Sequence, residues 1–479
     1  MKRSSGVLMH ISSLPGEYSI GSFGAEAKKF ADLLADCGFT YWQVLPFCMA
    51  DDCNSPYKSY SAFGGNPFFI DLPTLCLKGL LTYEELRGAK QDTPYLCEYE
   101  RLAEERPALL RLAASRVGKK ERGNIERFME EHPELLEAAT FLALREANGG
   151  KPWQEFEVTA PDEEELFFWK FAQYEFYTQW MSIKEYANSR GIKIIGDIPI
   201  YVALDSCDVW AHPTLFQLDG KGQPTAVAGC PPDYFSEEGQ LWGNPLYDWD
   251  EMAKDGYMWW RRRIKYMLTL FDGVRIDHFR GIESFWSIPA GAKSAVEGKW
   301  VKGPAEGLVD AIRETAGDKL VIAEDLGDIT PEVEELLRYS GFPGMRVFQF
   351  GFAGEKDSPH MPHSYVENCV AYTGTHDNNT LLGYIWELDG EERRRVMSYC
   401  NCEDREWSRG CEMIIKTVMA SHAGRVIFPM QDILVYGADT RMNTPGTSGN
   451  NWQYRITADQ LATVDRKKFK ALNELYARI

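Results

Sequence analysis

The segment GVRIDHFRG, Gly273 to Gly281, sets a cation beside a carboxylate in a way that covalent sugar chemistry can use. A short apolar stretch, Phe271 to Ile276, runs straight into Asp277. Residues two apart on a strand share a face, so the side chains of Arg275 and Asp277 are expected to lie together. A guanidinium beside a carboxylate favours its ionised form. Two further carboxylates end apolar stretches downstream: Glu324 in LVIAEDLG and Asp377 in AYTGTHDNNT. Retaining glycosyl chemistry needs one ionised carboxylate to attack the anomeric carbon. It also needs a protonated carboxyl about 5–5.5 Å away to serve the leaving oxygen. Asp277 suits the first task. Glu324 suits the second, because it has the longer arm and its strand, Leu320 to Ala323, is apolar, and burial raises a carboxyl pKa. Asp377 is then the third carboxylate, able to hold sugar hydroxyls and favour an oxocarbenium-like geometry.

Each residue also has a plainer reading. A lone Asp at a strand end more often caps a loop, and Arg275 with Asp277 could be a buried ion pair that holds the fold. Three carboxylates with Arg275 and His376 on one rim weigh against both. Asp325, beside Glu324, is expected to face the other way in a structural role. His278 and His376 could be satisfied core histidines. No tight ligand spacing such as HExxH accompanies them, so neither a metal nor another cofactor is expected.

Positioning these residues requires a parallel sheet. Short apolar runs occur at Tyr41–Leu45, Pro67–Asp71, Lys193–Pro199, Gly273–Asp277, Leu320–Glu324, Arg346–Phe350, Val370–Thr375 and Arg425–Pro429. Helical patterns lie between many of them, at Ala25–Cys37, Glu164–Ser189, Tyr257–Leu270, Glu306–Thr315 and Pro331–Ser340. Strands alternating with helices imply βα units, and eight of them predict an α/β fold, a (β/α)8 TIM barrel. Barrel sites form at the C-terminal strand ends, where Asp197, Asp277, Glu324, His376 and Asp377 fall. About 120 residues separate the second and third runs, too many for one crossover. The reading is therefore one catalytic barrel over residues 1–479, with a helical subdomain inserted at 73–160 after strand two. An active-site loop is inserted at 205–250 after strand three.

Composition narrows the partners. With 52 basic and 71 acidic residues the net charge is −19, which argues against nucleic acid and anionic membrane surfaces. Aromatics make up 13%, including 14 Trp and 23 Tyr, and core packing accounts for most of them. The 11 cysteines are scattered, with no CxxC, which points to reduced thiols. The N-terminus has no apolar run of signal-peptide length and no stretch approaches a membrane span. A soluble, cytoplasmic protein is expected.

With these residues in place, the chain resembles the α-amylase clan, and most closely the 4-α-glucanotransferases of glycoside hydrolase family seventy-seven. GDIPIYVA, GVRIDHFRG, AEDLG and GTHDNNT match the four ordered clan regions. SSGVLMHISSLPG, NSPYKSYSAFGGNPFFIDL, CPPDYFSEEGQLWGNPLYDW and RMNTPGT resemble segments more specific to the family. The resemblance implies Asp277 as nucleophile, Glu324 as acid/base and Asp377 as the stabilising carboxylate. It implies that Arg275, His376 and Asp197 surround the sugar at the cleavage point, with Tyr57 stacked on it and Ser55 nearby. Gln240, Trp242, His278 and Asn443 would bind sugars on either side. Cys230 departs from the small apolar residue expected before the Pro-Pro pair, and the insertion after strand two varies in size within the family.

The activity so implied is metal-independent transfer of an α-1,4-glucan segment from a maltooligosaccharide or other glucan donor. The acceptor would be the 4-hydroxyl of glucose or another glucan. The rival readings are an α-1,4-glucan hydrolase with the same carboxylates and a non-catalytic glucan-binding barrel; the intact triad weighs against the latter. Between Asp233 and Trp249, Tyr234, Phe235, Trp242, Tyr247 and Trp249 either form acceptor platforms that exclude water or only pin a long loop.

Overall fold

A computed structural model describes residues 2–49, 54–232, 238–353, 358–403, 405–447 and 449–479. Its strands are β1 (Ser4–Leu8), β2 (Tyr41–Gln43), β3 (Lys193–Ile198), β4 (Ala226–Cys230), β5 (Gln240–Pro245), β6 (Gly273–Ile276), β7 (Ser284–Pro289), β8 (Lys299–Lys302), β9 (Leu320–Ala323), β10 (Gly344–Val347), β11 (Cys369–Tyr372) and β12 (Arg425–Pro429). Eight of them close into a barrel in the order β1-β12-β11-β10-β9-β6-β3-β2, with every pairing parallel. The expected (β/α)8 fold is thus present. The five helices read from the sequence form at Ala25–Asp36, Glu163–Ser189, Met258–Leu270, Ala305–Ala316 and Pro331–Ser340.

Two strand readings are corrected. The first barrel strand is β1, whose Ser-Ser-Gly opening looks like a turn. Its polar residues are buried because Ser5 Oγ donates to Asn473 Oδ1 at 2.5 Å, near the far end of the chain. Gly6 lets β2 approach: a Cβ there would lie 2.6 Å from the Tyr41 Cβ. Conversely, the run at Pro67 is not a strand. Pro67–Phe69 is a 3-10 turn started by Asn66, and Asp71 caps the helix Leu72–Leu77. Two glutamines on Glu163–Ser189 supply the hydrogen bonds a sheet would have given. Gln173 accepts from Gly65 N and Gln179 from Asp71 N, both at 2.7 Å. One missed strand and one surplus strand cancel, so the third to eighth strands keep their order.

Between β2 and β3 the chain forms the helices Tyr99–Ser115, Lys119–Glu131 and Pro133–Ala147. After β3, the stretch read as a loop instead forms the short helix Cys207–Ala211 and strands β4 and β5. These join β7 and β8, which follow β6, in an antiparallel sheet ordered β5-β4-β7-β8. Many aromatics fill the core, as expected. Phe47 packs on Trp180 at 4.6 Å and on Phe271 at 5.1 Å, and Gly196 of β3 leaves room for the Phe271 ring. Among the described residues, no helix is long and apolar enough to cross a membrane.

The N-terminal end of the barrel is closed by two arginines. Arg478, fully buried, donates to the carbonyls of Met419, Ser421, Ala423 and Ser4. Arg3 adds bonds to Met419 O and Ser421 O. Both cations sit at the C-terminal end of Trp407–Ala420, where the helix dipole favours positive charge. Removing the Arg478 guanidinium takes a donor from each of these four carbonyls and leaves Met419 O and Ser421 O to Arg3. Arg478→Ala is therefore expected to cost about 3 kcal/mol of stability, read as a lower urea midpoint. An unchanged midpoint would mean that other donors serve these carbonyls.

Candidate active site

Register brings the central charges together. Asp197 on β3 is the pairing partner of Arg275 on β6, and Asp277 follows β6 with its N–H donating to Ile198 O at 3.0 Å. Arg275 Nη1 donates to Asp197 Oδ2 at 2.6 Å and Nη2 to Asp277 Oδ1 at 2.8 Å, so the expected pairing on one face is present. Its Nε lies 3.4 Å from Met345 Sδ. Burial opposes the charge on this arginine, but the two carboxylates outweigh it and hold it protonated. Burial pushes Asp197 up from the ordinary range, and Arg275 works against that rise. Asp197 is fully enclosed, whereas the Asp277 side chain is 28% exposed and opens to the cleft.

Glu324 sits one strand over. Its N–H donates to Ile276 O at 3.0 Å, placing it beside the Asp277 turn. Its carboxyl accepts from His278 N at 2.6 Å and Leu326 N at 2.9 Å. Burial pushes the carboxyl up to about 7. The Asp277 charge adds to the rise, while Arg275 and the two backbone donors oppose it. The turn that supplies the first donor is strained, for His278 has φ +48° without being glycine. The His278 ring packs edge-on against Trp242 at 5.1 Å, and Trp242 Nε1 donates to Gln240 Oε1 at 3.1 Å. Burial lowers this histidine to about 4, so the ring is neutral, and its Nε2 is buried without a hydrogen-bond partner. Asp325 does face away, accepting from Met345 N and Arg346 Nη1 at 2.6 and 2.8 Å.

The third carboxylate has different surroundings. Asp377 accepts from Asn443 Nδ2 at 2.6 Å, and His376 Nε2 lies 3.2 Å from its other oxygen. Burial works against the charge, but His376 and Asn443 outweigh it and hold the carboxyl down at about 2. The His376 ring stacks on Tyr57 at 5.2 Å and 14°, and Tyr57 Oη donates to Asp197 Oδ2 at 2.8 Å. Tyr57 N donates in turn to Ser55 Oγ at 3.3 Å. All twelve residues singled out from the sequence thus belong to one connected network.

Sequence reasoning missed two members. Arg441 donates to the Asp377 carbonyl at 2.6 Å and to Asn443 O at 2.7 Å. Trp452 packs on both Tyr57 and His376. The RMNTPGT motif carried a signal for Arg441, while nothing near Trp452 did. The aromatics of the 230–249 stretch divide. Tyr247 is fully buried among Tyr201, Phe216, Trp249, Trp259 and Trp260, so it and Trp249 pin the base of the segment. Tyr234 and Phe235 lie outside the described residues. Trp242 remains half-buried at the cleft. Among the described residues, no group of three or more His, Cys, Asp or Glu side chains could hold a metal ion.

Three carboxyl groups on one rim, each with different partners, can perform a double displacement at a sugar carbon. Comparison with known proteins points to the same chemistry. The profile of glycoside hydrolase family 77, 4-alpha-glucanotransferase, matches residues 9–461. The 4-alpha-glucanotransferase of Streptococcus pneumoniae TIGR4 is 44% identical, over 100% of this chain and 98% of its own. That of Clostridium butyricum is 42% identical over 98% and 100%. Among solved structures, amylomaltase from Streptococcus agalactiae in complex with acarbose superposes with a TM-score of 0.95 at 39% identity, covering both chains fully. The chain belongs to glycoside hydrolase family 77, the 4-alpha-glucanotransferases.

Proposed function

We propose that this 4-alpha-glucanotransferase works through Asp277 as nucleophile, Glu324 as acid/base and Asp377 as the carboxylate that stabilises the transition state. Donors are maltooligosaccharides or other α-1,4-glucans, and acceptors are glucose or a second glucan. The observation that carries the reading is the contrast between neighbouring carboxyls: one Asp277 oxygen accepts a hydrogen bond from the Arg275 guanidinium, while burial raises Glu324 to about 7.

In the first step the Asp277 oxygen not held by Arg275 attacks C1 of the donor. The C1–O bond breaks, and the Glu324 proton passes to the departing oxygen. Forming the ester removes the Asp277 charge, which removes one of the influences that raised Glu324. Glu324 is then a stronger acid and stays ionised, ready to take the proton of the acceptor 4-hydroxyl. That oxygen attacks C1 and Asp277 departs as carboxylate, so the configuration is retained. Throughout, Asp377 stays ionised and carries negative charge toward the oxocarbenium-like carbon. His278 Nε2, without a hydrogen-bond partner beside Trp242, supports a role in holding a sugar hydroxyl. A cytoplasmic location belongs to the same reading, supported by buried free thiols such as Cys37, Cys97 and Cys411.

Incubation with maltotriose tests the activity: chromatography should show longer and shorter chains plus glucose, with little net gain of reducing ends. Asp277→Asn should abolish this while the protein stays folded, because an amide cannot form the ester. Substantial turnover in a clean preparation would move the nucleophile elsewhere.

For Glu324 the sign of the pH dependence follows from its role. The acid must start protonated, so kcat/KM should fall as pH rises through about 7. Glu324→Gln should lose this alkaline limb and turn over natural glucans slowly, yet form the intermediate far faster from glucosyl fluoride donors. Equal loss on both donors would remove Glu324 from the acid role.

Trp242 supports the choice of sugar over water as acceptor. A ring stacked on a sugar face contributes about 1–2 kcal/mol by analogy with other aromatic contacts, roughly a tenfold change in partitioning. Trp242→Ala should raise the ratio of hydrolysis to transfer by that factor, with a smaller effect on cleavage of an activated donor. An unchanged ratio would make Trp242 a structural cover only.

A further inference from the structure

Asp432 lies outside the network that touches the cleft, on the short helix Met430–Ile433 that follows β12. It is 1% exposed and, among the described residues, has no ion-pair partner within 4 Å. A buried carboxylate without a cation is costly unless its hydrogen bonds are well made. Asp432 makes two, and both go to one segment. Its Oδ2 accepts from Thr373 Oγ1 at 2.5 Å, and its Oδ1 accepts from Leu381 N at 2.7 Å. Thr373 is the first residue after β11, and Leu381 is the first of the helix Leu381–Glu387. A single carboxylate therefore ties both ends of the stretch that carries His376 and Asp377. Its neighbour Gln431 holds the other half of the same environment. Gln431 Nε2 donates to Thr440 O at 3.1 Å, next to Arg441, which donates to the Asp377 carbonyl. From the opposite side, Gln349 Nε2 donates to Asn379 O at 2.8 Å.

We infer that Asp432 is a positioning residue that fixes the Asp377 carboxylate by clamping both ends of the segment that bears it. The inference rests on the role proposed for Asp377. A fold-only role would be met by any side chain that fills the space and feeds Leu381 N–H. The clamp requires two acceptor oxygens aimed at two places eight residues apart in sequence. Loosening one end lets Asp377 drift from the reacting carbon, which weakens the transition state more than the bound substrate. The expected signature is a split between kcat and KM, which simple destabilisation does not produce once rates are normalised to folded protein.

The test measures kcat and KM on maltotriose for four variants of the full chain, with folded fraction from circular dichroism. Asp432→Ala should lower kcat on the order of tenfold to a hundredfold while KM changes less than about threefold. Asp432→Asn should recover much of that loss, since its amide oxygen still accepts from Leu381 N–H and its NH2 can donate to Thr373 Oγ1. If Asp432→Ala does not accumulate folded, Thr373→Val decides. It deletes one clamp bond at constant shape and should lower kcat about three- to tenfold at near-normal KM. Wild-type kcat in folded Asp432→Ala or in Thr373→Val overturns the inference, as does a loss expressed only in KM. Asp377→Asn keeps the two readings apart. If it retains kcat, the role of Asp377 falls and the inference with it. If it loses kcat while the clamp variants do not, only the clamp falls.

Discussion

The site depends first on one buried guanidinium. Arg275 is 4% exposed and spans three strands of the barrel, reaching Asp197 on β3 and Met345 on β10 from its own place on β6, as well as Asp277 at the strand end. Removing one partner from such a group leaves an uncompensated buried charge, which is strongly destabilising. The same contact sets the chemistry. It occupies one Asp277 oxygen and leaves the other free of the guanidinium, on a side chain that is partly exposed. Tyr57 extends the arrangement: its hydroxyl binds Asp197 while its ring carries His376. An electrostatic constraint on one side of the barrel thus reaches the Asp377 side through a single aromatic stack.

Adjacent strands give Asp277 and Glu324 opposite treatment. Asp277 receives a cation and partial exposure. Glu324 receives burial and two backbone donors, one from a strained turn at His278. Backbone donors favour the ionised form, so they restrain a rise that burial alone would carry further. A carboxyl near 7 can give up a proton in one half of a reaction and accept it in the other. One driven much higher would be a poor acid, and one left at its ordinary value would seldom hold the proton.

Much of this was legible because the decisive residues end apolar runs. Asp277, Glu324 and Asp377 stand where buried strands meet polar loops, and Arg275 is read from a spacing of two. What was not legible depends on partners remote in sequence. β1 was hidden because Ser5 looks solvent-seeking until Asn473, 468 residues away, accepts its proton. Pro67 to Asp71 reads as a strand because nothing local reveals that Gln179 will satisfy the backbone of Asp71 and Gln173 that of Gly65 just before the run. Arg441 escaped because its target is the Asp377 carbonyl, an acceptor that every residue carries. The antiparallel sheet escaped because its four strands come from two separate excursions, on either side of β6.

That sheet bears on the proposed choice between water and sugar, because it meets the barrel beside Glu324. β5 carries Gln240 and Trp242, and Trp242 meets His278, the residue whose N–H holds Glu324. The pinned aromatics at its base, Tyr247 and Trp249, fix where β5 returns to the barrel. Arg280 secures the other edge, stacking 3.7 Å over Trp300 of β8 while bonding the Asp328 carbonyl beyond Glu324. The antiparallel sheet is thereby tied at both edges to the strand end that carries Glu324. Under the proposed mechanism, acceptor binding and proton transfer are linked through the contact of Trp242 with His278 and of the His278 N–H with Glu324. An incoming glucan then meets Glu324 already aligned, whereas water gains nothing from the ring surface.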